Sequence, residues 1–234
     1  MRPGQVQSPQ ETVLFDVTSY LRPYSEQYEN RAYQMAKRVT DIVIASLALL
    51  LLFPVFLIIT AVVAKGDGFP ILFRQRRIGQ GGRTFYMYKF RSMRRDAEQR
   101  LQDLLTRDPE KRREFEETYK LKDDPRIIPG GSFLRSSSLD ELPQLINVIL
   151  GDMTLVGPRP IVEKEIEKFG DEAGTYLAMK PGCAGLWQCS GRNDTSYEER
   201  LVLNRKYYDN ASWTFDLWIM WQTFRSMVQR KGAY

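Results

Sequence analysis

From Ile42 to Ala64 the chain carries no charge, and only Ser46, Pro54 and Thr60 interrupt its apolar run. A straight helix of that length would reach roughly 34 Å, enough to cross a bilayer. Pro54 stands near the middle, where it removes one i→i−4 hydrogen bond and clashes with the carbonyl of Leu50. Arg31, Lys37 and Arg38 precede the run, and Lys65, Arg74, Arg76 and Arg77 follow it. The one-sided Lys/Arg excess of a simple span is therefore absent. Three readings remain open on these features: a segment that bends at Pro54 and leaves by the face it entered, a kinked span, and a buried core helix.

Downstream the periodicity changes. Two runs rich in β-branched and aromatic residues, 69–78 and 83–90, are joined by Gln80-Gly81-Gly82 and predict a β-hairpin. Residues 94–121 are mostly charged, with leucines near helical spacing and a break at Pro109, which reads as a solvated helical face. A turn-rich stretch, "DDPRIIPGGSF" (123–133), follows. In "SLDELPQLINVIL" (138–150), Leu139, Leu142, Leu145, Ile146, Ile149 and Leu150 fall on one face of a helix predicted to start near Glu141 or Leu142. In residues 213–234, Trp213, Leu217, Trp221, Phe224 and Val228 share a face, with Arg225, Arg230 and Lys231 elsewhere. That pattern fits a membrane interface or ordinary core packing equally well. Residues 1–30 are polar and show no signal-peptide pattern.

Composition narrows the chemistry. The 234-residue chain is 43% hydrophobic, enough for a core, and its net charge of +5 fits an anionic partner. It contains no histidine. That excludes Ser-His and Cys-His nucleophile pairs and His-bearing zinc sites, and leaves carboxylates as the leading catalytic groups. Cys183 and Cys189 have no partner pair for a zinc ribbon or a disulfide framework, which points to a reducing, cytosol-facing location.

The acidic pair Asp140-Glu141 is expected at the helix N-terminus, where free N–H groups favour negative charge. Ser138 and Glu141 also match a capping box, S-x-x-E, which would give the pair a purely structural role. Their surroundings point further. Lys89 and Arg91 lie in "YKFRSM", Arg135 just before the pair, and Arg159 between two prolines in "VGPRP". Two acids among turn-borne cations suit phosphate groups and a divalent metal, with one acid attacking phosphorus and its neighbour holding the ion.

The motifs "KFRSM", "DDPRI", "FLR" and "SLDELPQLINVILGDMTLVGPRP" resemble the bacterial sugar transferase family, the monotopic phosphoglycosyl transferases, over residue 35 to the C-terminus. "KPGCAGLWQCSGRNDTSYEER" and the terminal "GAY" resemble the members that transfer galactose or glucose 1-phosphate, in a short form of the catalytic module. The resemblance implies a UDP-sugar donor, an undecaprenyl phosphate acceptor, Mg²⁺, release of UMP, and a place in exopolysaccharide or O-antigen synthesis on the cytoplasmic face of the bacterial inner membrane. By it Asp140 is the nucleophile of a covalent phosphosugar intermediate and Glu141 the Mg²⁺-associated acid. Arg135 and Arg159 line the phosphate site, Lys89 and Arg91 lie near it, and Arg192 and Asn193 contact nucleotide or sugar. The implied fold is mainly α with a small β-hairpin, a monotopic membrane protein with one re-entrant, Pro-bent helix and amphipathic interfacial helices. Its parts are an N-terminal extension (1–34), the re-entrant helix (35–66) and a cytoplasmic-face catalytic domain (67–234). A homodimer is admitted and a nucleic-acid partner is not expected. A non-catalytic membrane anchor that binds anionic lipid is the rival reading. The family's helix bends at a Ser-Pro pair, whereas here Phe53 precedes Pro54, so the support of the bend must come from elsewhere.

Overall fold

A computed structural model of the chain describes residues 25–118, 121–190 and 196–228. A short helix α1 (Glu26–Glu29) leads into α2 (Arg31–Leu51), whose first turn is capped by Asn30: its Oδ1 accepts from the N–H groups of Ala32 and Tyr33 at 2.9 and 3.1 Å. Next comes α3 (Phe53–Asp67), at 63° to α2. The break is at Leu52 (φ −88°, ψ 2°), whose N–H donates to the Ala48 carbonyl at 2.9 Å, and Pro54 falls in the first turn of α3, where no N–H is needed. Packing holds the angle. The Phe56 ring lies 5.2 Å from that of Phe90, and Ile59 and Val63 bury into a cluster with Phe90, Ile128 and Leu134.

The outer faces of both helices are bare. Leu50, Leu51 and Ile58 are 72%, 69% and 64% exposed, which removes the buried-core reading of this segment. No single helix among the described residues is long and apolar enough to cross a membrane, while the bent pair together has the length and composition.

The inner face of α2 is polar and fully engaged. Lys37 Nζ pairs with Asp216 at 2.7 Å, and Arg38 donates to the carbonyls of Val148 and Ile149 at 2.6 and 2.7 Å. Asp41 accepts from Thr154 Oγ1 and the Leu155 N–H at 2.7 and 2.9 Å. One helix thereby registers three separate segments of the rest of the chain.

Strands β1 (Leu72–Ile78) and β2 (Thr84–Phe90) form the expected antiparallel hairpin, Leu72 opposite Phe90 and Ile78 opposite Thr84. The strand starts after Pro70, which has no N–H for the ladder. The connecting turn has Gly81 at φ 65°, a conformation glycine adopts freely. Charged helices α4 (Ala97–Arg107) and α5 (Pro109–Thr118) follow, with Pro109 starting the second rather than merely breaking the first, and then α6 (Gly131–Ser136).

Helix α7 (Gln144–Leu150) begins later than the periodicity predicts, because Leu139–Glu141 form a separate 3₁₀ turn before it. Unforeseen in the sequence, β3 (Thr154–Val156) pairs in parallel with β4 (Gly182–Ala184). The strands are too short to show alternation. Their closeness depends on glycine: a Cβ on Gly182 would stand 2.1 Å from the Gly157 nitrogen. Between them lie α8 (Glu163–Ile166) and α9 (Ala173–Ala178); after them come α10 (Leu186–Ser190), α11 (Tyr197–Asp209) and α12 (Trp213–Val228).

The main core gathers Val148, Met153, Val156, Met179, Leu186, Tyr207, Tyr208 and Ile219, and Tyr28 joins it from α1. In α12 Asp216 and Ile219 point inward, whereas Trp213, Trp218, Trp221 and Phe224 are exposed. Its aromatic face is thus not core.

Candidate active site

The acidic pair is presented by a strained turn. Ser138 has φ 57°, the only positive value at a non-glycine residue among those described, and its side chain makes no cap bond. The expected capping box is therefore absent: Ser138 takes a left-handed backbone in place of the extended one of a capping residue. Only backbone closes the turn, the Glu141 N–H donating to the Ser138 carbonyl at 3.2 Å. Glu141 is left for other work.

That work is an ion pair with the hairpin. Lys89 Nζ donates to Glu141 Oε1 at 2.6 Å. Register between the two elements comes from Asn147 on α7, whose Oδ1 accepts from the Tyr88 N–H at 3.0 Å and whose Nδ2 donates to the Tyr86 carbonyl at 2.7 Å. Lys89 follows Tyr88 directly, so this two-point clamp sets its position. Glu141 and Lys89 open onto a small cleft, lined also by Arg77, Gln144 and Arg159 and by the β4 residues Gly182 and Cys183.

The two carboxylates differ in charge state. Burial pushes Asp140 up to about 6, with the neighbouring Glu141 charge adding to the rise and Lys89 and Arg135 opposing it. Burial acts the same way on Glu141, but Lys89, Arg159 and a hydrogen bond from Gln144 outweigh it and hold the group below the ordinary glutamate value. Glu141 is thus a fixed anion among cations, while Asp140 is an unpaired carboxylate mostly ionised at neutral pH.

Of the sequence-predicted residues, the structure brings Glu141, Lys89 and Arg159 together in one cleft, while Asp140, buried beside Glu141, feels the Lys89 charge without lining the cleft. Arg135, exposed on the last turn of α6, acts on Asp140 by charge rather than by lining the cleft. It does not bring Arg91 there. That guanidinium donates to the carbonyls of Asp67 and Gly68 at 3.0 and 2.5 Å and caps the end of α3. Arg192 and Asn193 lie outside the described residues.

Arg77 is the cation that sequence reasoning missed, having been read only as a flank of the apolar run. Its Nη1 donates to the Pro160 carbonyl at 3.1 Å, and burial together with the nearby Arg159 charge lowers its pKa. The signal was its place one residue before the end of the first hairpin strand, which a hairpin alone does not tie to Arg159. Burial pushes the Cys183 thiol up, so this cleft residue is not a thiolate nucleophile.

Among the described residues no three His, Cys, Asp or Glu side chains converge. The described residues therefore form no all-protein metal cage. Mg²⁺ takes one or two carboxylates and completes its shell with phosphate oxygens and water, and an ionised Glu141 beside Asp140 fits that demand.

A carboxylate held by Lys89, in a cleft with three basic side chains and with Asp140 beside it in the chain, is an arrangement suited to anionic groups such as phosphates. The comparisons with known proteins give the arrangement a family. The model of the bacterial sugar transferase family matches residues 32–230, and the chain belongs to that family. It is 44% identical over 204 residues to the undecaprenyl-phosphate galactose phosphotransferase of Salmonella typhimurium, covering 87% of this chain and 43% of that protein. It is 44% identical over 200 residues to the exopolysaccharide production protein ExoY of Rhizobium meliloti, covering 86% of this chain and 88% of that one. Identity is 37% over 201 residues to the UDP-glucose:undecaprenyl-phosphate glucose-1-phosphate transferase of Xanthomonas campestris pv. campestris, covering 84% and 38%. The chain thus spans less than half of two of these relatives and most of the third.

Proposed function

We propose that this protein is a phosphoglycosyl transferase that moves hexose 1-phosphate from a UDP-hexose to undecaprenyl phosphate. The observation that carries the reading is the division of labour between Asp140 and Glu141, one free and one locked among cations, in a member of this family. A carboxylate oxygen of Asp140 attacks the β-phosphorus of the donor. The new O–P bond forms as the bond to the bridging oxygen breaks, and UMP leaves with that electron pair. A phosphate oxygen of the lipid then attacks the same phosphorus, breaks the acyl-phosphate bond and returns Asp140 as a carboxylate. Arg77, Lys89 and Arg159 hold the diphosphate charge, and Glu141 would hold Mg²⁺, which when bound neutralises charge on the phosphoryl oxygens.

The same reading places the bent pair α2–α3 in one leaflet of the bacterial inner membrane, entering and leaving at the cytoplasmic face. Its bare apolar surface and the exposed aromatic face of α12 support this arrangement. The lipid acceptor has its phosphate at the headgroup level, where such a mount holds the cleft.

With acceptor withheld, the protein incubated with a UDP-hexose should gain one hexose phosphate on the peptide that contains Asp140, read by mass spectrometry. Turnover without that adduct would favour direct attack by the lipid phosphate, with Asp140 as general base. A protein that releases no UMP with any UDP-sugar would leave the anchor reading standing.

A further inference from the structure

The cleft carries one polar atom that the proposed chemistry leaves unused. Gln188, on α10, lines it beside Cys183 and Gly182. Its side-chain oxygen Oε1 is shielded from solvent and has no hydrogen-bond partner, and its Nε2 makes only one long donation, 3.5 Å to the Cys183 carbonyl. A buried acceptor without a donor is unfavourable, and native proteins keep few of them. Room for this one exists because residue 185 is glycine: a Cβ there would stand 2.4 Å from Oε1.

The lining is divided in character. Arg77, Lys89 and Arg159 with Glu141 form a charged part suited to phosphate, whereas Met87, Cys183 and Gly182 are neutral and leave Gln188 as an uncommitted amide among them. A ligand matched to both parts has a diphosphate and, next to it, a group with a hydrogen to donate.

We infer that Gln188 is a specificity-determining residue whose side-chain oxygen accepts a hydrogen bond from the donor, either from a hexose hydroxyl or from the imide N–H of the base. This rests on the proposed use of a nucleotide-sugar donor. A site that commits a buried acceptor to a ligand hydrogen discriminates against ligands that lack it, because the acceptor is then left bare.

Isothermal titration calorimetry on the full chain in nanodiscs tests this, in an Asp140→Asn background so that binding is read without turnover. The probes are UDP-galactose, UDP-glucose, UDP and inorganic pyrophosphate. Adding Gln188→Met, which keeps the side chain's length and removes the acceptor, should weaken the better UDP-hexose about tenfold, the loss of one hydrogen bond, and leave pyrophosphate unchanged. If UDP weakens equally, the hydrogen comes from the base; if UDP is unchanged, it comes from the hexose. An unaltered UDP-hexose affinity, or an equal loss for pyrophosphate, overturns the inference while the donor reading stands. A parent protein that binds neither UDP-hexose nor UDP overturns the donor reading itself and this inference with it.

Discussion

Lys89 Nζ lies 2.6 Å from Oε1 of Glu141, and through this contact the β-hairpin meets the acidic turn. After burial, which acts the other way, Lys89 is the largest influence on the Glu141 carboxyl. Replacing it with methionine leaves burial opposed only by Arg159 and Gln144, so the Glu141 pKa should rise. UMP release by Lys89→Met should fall about 10- to 100-fold at neutral pH, the range for hydrogen bonds to charged groups, and recover in part at higher pH as Glu141 ionises. A uniform loss at every pH would contradict this account of the pair.

Asp140 predicts a pH dependence of opposite use for catalysis and for stability. Its carboxyl is raised from 3.8 to about 6, so the proposed nucleophile is protonated below that value and the proposed first half-reaction should lose rate as pH falls through it. For the fold, the neutral form is the favoured one. This group's contribution is fully present below the unfolded value and is lost as pH rises through about 6. Asp140→Asn should therefore stabilise the protein at neutral pH, by on the order of 2 kcal/mol, with the gain vanishing near pH 4. Thermal unfolding of both proteins across that range checks it, and a gain that grows toward acid pH would refute the assignment.

Lys37 and Asp216 tie α2 to α12 through a contact with both side chains more than nine-tenths buried. Lys37→Met alone strands a carboxylate in the core, and a loss of about 3–5 kcal/mol is expected. The double variant Lys37→Met/Asp216→Leu removes both charges and should recover most of that loss in denaturant titrations. Additive losses would show that the surrounding tyrosines Tyr33 and Tyr207, rather than the ion pair, hold the joint.

The bend at Leu52 predicts sidedness. Single cysteines at the exposed positions Arg31 and Arg95, in a chain with Cys183 and Cys189 replaced by serine, should both react with an impermeant maleimide from the same face of oriented vesicles. Labelling from opposite faces would mean a kinked span.

Much of this protein was legible in local pattern. The uncharged run broken by Pro54, the hairpin around Gly81 and the acidic pair before an apolar helix are decided by residues near one another in the chain, since propensity, turn chemistry and proline geometry act over a few positions. Ser138 shows where local reasoning stopped. Its spacing to Glu141 fits a cap, yet its left-handed backbone and the distant Lys89 leave Glu141 facing the hairpin instead. Arg91 and Arg77 make the same point in opposite directions: the first, in a motif beside Lys89, turns to the end of α3, and the second, in a run of basic residues, reaches Pro160 and the cleft. Arg91 lies just past the end of β2, so strand alternation does not fix its direction, and which basic side chains meet the site depends on long-range packing. The three-residue pairing of β3 with β4 and the cleft beside Gln188 also needed tertiary structure, because contacts between glycines far apart in sequence leave no periodic trace. Sequence alone determined the chemistry available, carboxylates and cations without histidine; only the packed chain decided which of them share one space.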